Sequence, residues 1–104
     1  MRYKHGNKNV VQNWRIRKVH KIANEIWASH GRELVITSPP DTEDYEHGPF
    51  SWHYYGMATD LRTTYYNTSE ARQVAKELRD RLPAEYQVIV EKNHIHVECD
   101  LEQA

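Results

Sequence analysis

Cys99 is the only thiol in the chain, so no disulfide can form within it and the fold cannot depend on an oxidising compartment. Long apolar runs are missing as well. No stretch approaches the ~20 apolar residues that a membrane span requires, and the start of the chain has no apolar core of a signal peptide. These absences predict a protein that crosses no membrane and is made and folded in the cytoplasm. If it acts on a cell wall, something else must deliver it. Nor does one sign of charge dominate: 14 Lys and Arg stand against 15 Asp and Glu, with a pI near 6.6, so no global field draws in a polyanion. The basic start of the chain (Arg2, Lys4, Lys8, Arg15, Arg17, Lys18, Lys21) runs partly along a helical segment, where it forms a solvated face. Nucleic acid is therefore not an expected partner. With hydrophobic residues at 38% and a single Phe, the three Trp and seven Tyr must supply much of the burial. The length, 104 residues, suits one domain, expected to be a monomer.

Residues 1–9 are polar and read as a loose N-terminal segment ahead of a single domain over 10–104. Between Val10 and His30, Ile16, Val19, Ala23, Ile26 and Trp27 recur at helical spacing, flanked by Val11 and Ile22, and Gly31 is a natural stop. Glu33 to Ser38 has the β-branched content of a short strand. Pro39-Pro40 ends it, and an acidic loop follows with Asp41, Glu43, Asp44 and Glu46. Residues 51–62 read as a turn leading into a strand from Met57 to Leu61. A second helix is capped by Asn67 with Glu70 three residues on. It buries Ala71, Val74, Ala75, Leu78 and Leu82, and it stops at Pro83. Two strands follow, Tyr86–Glu91 and His94–Glu98, joined tightly at Lys92-Asn93. This order predicts an α+β domain, with two main helices on one face of a small, mainly antiparallel sheet.

Chemistry concentrates at two places. In the last strand, period-2 geometry puts His94, His96 and Glu98 on one face and Ile95 and Val97 on the other. Alone, that pattern is also compatible with an exposed polar edge carrying incidental histidines. The second place is His53 with Asp60, where Gly56 lets the chain turn between them. A His, a carboxylate and a distant His form a ligand type for catalytic zinc, with the fourth position left to water. No HExxH helix is present, which excludes a thermolysin-type site.

The segment Ser51-Trp-His-Tyr-Tyr-Gly-Met-Ala-Thr-Asp60 resembles the SxHxxGxAxD pattern of the zinc D-alanyl-D-alanine carboxypeptidases and L-alanyl-D-glutamate endopeptidases. His94-Ile-His-Val resembles the closing HxH of the same group, which shares its fold with the Hedgehog signalling domain. The likeness spans roughly residues 33–98, with Ser51, His53, Gly56, Ala58 and Asp60 in register. It implies a Hedgehog/DD-peptidase-like fold, a Zn2+ ion on His53, Asp60 and His96, and hydrolysis of a peptidoglycan stem peptide. A single domain of this kind, with no signal peptide, suits a phage lysin or an enzyme of the virion. His94 becomes a candidate oxyanion donor. His47, Ser51, Tyr55 and Arg62 become candidate substrate contacts, Arg62 through a bidentate bond to a carboxylate.

The pattern breaks at one point. Where those peptidases carry an acidic general base, three residues before the last ligand, this chain has Asn93, and an amide cannot accept the proton. Glu91, at the mouth of the same hairpin, is the candidate replacement, since the corresponding glutamate of Hedgehog-like domains also lies earlier. The alternative is a catalytically silent zinc module that recognises a peptide or a protein. Asn93 also has a purely conformational explanation, a tight turn at positive φ. The acidic loop at Asp41–Glu46 could hold calcium, although it lacks EF-hand spacing and such loops are more often simply solvated.

Overall fold

A computed structural model describes residues 1–4, 14–37 and 58–100. Among these residues the order is β1 (Arg2–Tyr3), α1 (Trp14–Ser29), β2 (Val35–Ile36), β3 (Ala58–Arg62), α2 (Thr68–Arg81), β4 (Tyr86–Val90) and β5 (His94–Cys99). The strands form one sheet in the order β1-β2-β3-β5-β4, antiparallel throughout except for the parallel pair β1–β2. The protein is thus α+β, with two described helices and a five-stranded, mostly antiparallel sheet.

Both helices form where the apolar spacing places them. On α1, Ile16, Val19, Ile22, Ala23, Ile26 and Trp27 are buried, and on α2 Ala71, Val74, Ala75 and Leu78 are buried. They meet Leu61 of β3, Ile95, Val97 and Cys99 of β5, and Tyr86 and Val88 of β4 in one core. The end of α1 is set by Gly31 at φ 71°, a left-handed conformation that glycine adopts without steric cost. There the Gly31 N–H donates to the Ala28 carbonyl and the Arg32 N–H to that of Trp27, the Schellman arrangement. Asn67 caps α2 by accepting from the Glu70 N–H at 2.8 Å.

One expectation changes. Arg2 and Tyr3 are not loose: the Arg2 N–H donates to Leu34 and the Lys4 N–H to Ile36, adding a strand beside β2. Backbone pairing at a sheet edge needs no apolar alternation, so a polar dipeptide gives no sequence signal of it. Residues 5–9 lie outside the described set.

On the helix side of β3, Thr59 is buried and its Oγ1 lies 2.7 Å from Nε2 of His20, itself only 2% exposed. The Tyr3 hydroxyl approaches His20 Nδ1 at 3.4 Å. Burial pushes the His20 pKa down to about 4, which keeps the ring neutral. His20 is a core residue that ties α1 to the strand bearing Asp60.

Candidate metal centre

Strands β3 and β5 pair in the register Ala58↔Glu98, Asp60↔His96 and Arg62↔His94. Residues directly opposite share a face, with their Cβ atoms roughly 5 Å apart. Period-2 alternation sends Thr59 and Leu61 to the core and turns Asp60 and Arg62 the other way. The same parity sends Ile95 and Val97 inward and presents His94, His96 and Glu98 beside Asp60.

The side chains close on one another. Asp60 Oδ1 is 2.8 Å from His96 Nδ1 and 3.8 Å from His94 Nε2, and His96 Nε2 is 3.5 Å from Glu98 Oε1. Asp60, His96 and Glu98 are each at least four-fifths withdrawn from solvent. The hydrogen bond to Asp60 raises the His96 pKa. Partial burial opposes it, and the negative charges of Asp60 and Glu98 reinforce it.

This donor set fits zinc in kind. Two ligands about 2.0–2.1 Å from one tetrahedral zinc lie roughly 3.3 Å apart. Asp60 Oδ1 and His96 Nδ1, at 2.8 Å, would need to separate by only about half an ångström, with the proton between them lost. Glu98 at the other ring nitrogen is placed to accept its N–H and hold the imidazole, a recurring arrangement for zinc histidines. His53, the remaining expected ligand, lies outside the described residues. Among those described, no group of three or more His, Cys, Asp and Glu is assembled as a metal-holding set.

His94 sits beside the pair, its Nδ1 2.7 Å from Asn93 Oδ1. Asn93 does not adopt positive φ, so the left-handed turn does not account for it. Its amide instead bonds the neighbouring imidazole, and its carbonyl accepts from the Thr63 N–H. Arg62, opposite His94, lines a cleft of about 300 Å³ together with Lys4, Thr37, Thr64, Asn93 and His94. Glu91 is exposed and goes elsewhere. It borders a second cleft, of about 260 Å³, with Thr63, Tyr66, Asn67 and Thr68 at the start of α2. No side-chain bond joins it to Asp60, His94 or His96 among the described residues. Ser51, His47, Tyr55 and the acidic loop all lie outside the described residues.

Alternation in the last strand already puts Glu98 on the face of His94 and His96; its contact with the far nitrogen of the His96 ring is what the structure adds. The sequence reading passed over Lys4, Thr37 and Thr64, which reach the cleft only through β1, β2 and the turn after β3. Compared with models of known protein families and with curated protein sequences, the chain matches none. No described helix is long and apolar enough to cross a membrane.

Proposed function

We propose that this chain is a zinc metallopeptidase that hydrolyses a peptide bond in peptidoglycan stem peptides, on a fold of the Hedgehog and DD-peptidase type. The observation that most supports the reading is the cross-strand pair of Asp60 and His96. It joins the ends of two motifs 36 residues apart, with donor atoms 2.8 Å from each other. Asp60, His96 and His53 would hold the metal. When bound, zinc supplies a Lewis acid for the scissile carbonyl and a water that ionises near neutral pH. Glu98, 3.5 Å from His96 Nε2, would hold that ring, and His94 would be the donor to a developing oxyanion. Delivery to the wall by phage lysis or virion machinery goes with this reading. The test is to incubate the zinc-loaded protein with purified peptidoglycan and measure new amino groups, which EDTA should abolish.

A second reading has its own support, a zinc module that recognises a peptide or protein without cleaving it. Asn93 cannot accept a proton, and Glu91 borders the other cleft. Under that reading the zinc protein releases no amino groups from peptidoglycan, while the Asn93→Asp variant does.

A further inference from the structure

We propose that the cleft between the start of α2 and the turn after β4 binds a free amino acid with a small apolar side chain, as its zwitterion. Nothing in it requires a metal at Asp60 and His96.

The cleft encloses about 260 Å³, below the roughly 300–1,000 Å³ of pockets for drug-sized molecules, so its occupant is small. Thr63 lines it and is only 4% exposed. Both backbone groups of Thr63 are engaged. Its N–H donates to the Asn93 carbonyl at 3.1 Å, and its carbonyl accepts from the Tyr66 N–H at 2.9 Å. Its hydroxyl has no hydrogen-bond partner among the described residues. Nor is that hydroxyl sealed in the core. Among the described residues the Tyr66 hydroxyl is the one side-chain polar atom both sealed and unpartnered. The Thr63 hydroxyl therefore opens into the cleft, a nearly buried polar group left for a ligand to satisfy.

A carboxylate suits the α2 end. The helix runs 14 residues, and its N-terminus carries partial positive charge. Asn67 takes the Glu70 N–H, which leaves the Thr68 N–H at the cleft without an acceptor among the described residues. Lys92 adds an ammonium, and Glu91 adds a carboxylate to the same lining. Neither enters an ion pair among the described residues. One charge of each sign does not favour a bare anion; it suits a ligand that carries both. Ala71 and the exposed Val90 supply an apolar surface for the ligand's side chain.

The test measures binding. The full chain, without added metal, is titrated by amide NMR with valine, N-acetylvaline, valinamide and inorganic phosphate. Valine should shift Thr63, Thr68 and Lys92. It should bind about tenfold more tightly than N-acetylvaline or valinamide, each of which lacks one charge. Thr63→Val and Lys92→Met should each weaken valine about tenfold, and Glu91→Gln should abolish its advantage over N-acetylvaline. Thr63→Val should also keep the wild-type melting temperature, because the hydroxyl has no partner to lose. Equal binding of valine and N-acetylvaline, tighter binding of phosphate, no shift at Thr63 and Thr68, or a marked fall in the melting temperature of Thr63→Val overturns the assignment.

Discussion

Asp60 stands directly opposite His96 across two antiparallel strands, its Oδ1 2.8 Å from the imidazole Nδ1. The contact is a product of register. A slip of one residue between β3 and β5 would carry either Asp60 or His96 to the core face, where Leu61 and Ile95 now sit. The apolar residues between the polar ones, Leu61, Ile95 and Val97, lock that register because each is fully buried.

His20 gives the fold a specific pH dependence. The ring stays neutral in the folded protein down to about pH 4. In the unfolded chain it takes up a proton near the ordinary value of about 6.5. Between those values the unfolded state binds more protons, so stability is full above about pH 6.5 and falls as pH drops towards 4. The shift amounts to about 3 kcal/mol. Denaturant midpoints of the wild type and His20→Gln, followed from pH 7.5 to 4.5, should converge as pH falls, because the variant lacks this term. Parallel curves would contradict it.

Trp27 is expected to be the costliest single truncation in the core. It is fully buried, and its indole N–H lies 3.0 Å from the Tyr65 hydroxyl, which itself donates to the Glu33 carbonyl at 2.6 Å. Trp27→Ala should lose about 3–5 kcal/mol in equilibrium unfolding. A loss under about 1 kcal/mol would mean that α1 does not pack as described.

Asn67 should matter to the fold and not to the metal. Asn67→Ala removes the acceptor for the Glu70 N–H and should cost about 1 kcal/mol. Zinc affinity should not change, since the cap lies at the start of α2, away from Asp60 and His96. A joint loss of stability and zinc would show that the two regions are coupled.

Asn93→Asp should raise the rate at which stem peptide is cleaved, by a factor within about 10²–10⁴, the usual contribution of a general base. The amount of zinc bound should stay the same. Glu91→Gln should leave the rate near that of the wild type, because Glu91 borders the cleft towards α2. A variant Asn93→Asp that binds zinc and gains no activity would count against the proton-transfer role of this position.

Much of this arrangement was legible in the sequence, and what escaped did so for physical reasons. The helical stripes ending at Trp27 and Leu82 were readable because burial on a helix imposes a period, and Asn67 and Gly31 mark ends through local chemistry. Asp60 and His96 could be paired only through a family likeness, because cross-strand register is not written in either strand alone. β1 was missed because a two-residue edge strand is held by backbone groups that carry no residue signature. The direction of Glu91 was open for the same reason: at the end of a hairpin, alternation no longer dictates which cleft a side chain borders.

The most direct measurement is the metal content of the purified protein, before and after substitution at Asp60 and His96. The expected result is about one zinc per chain, lost with EDTA and in Asp60→Ala and His96→Ala, with the melting temperature falling as the metal leaves. Absence of zinc at neutral pH, with a melting temperature indifferent to EDTA, would contradict the assignment of Asp60 and His96 as a metal centre.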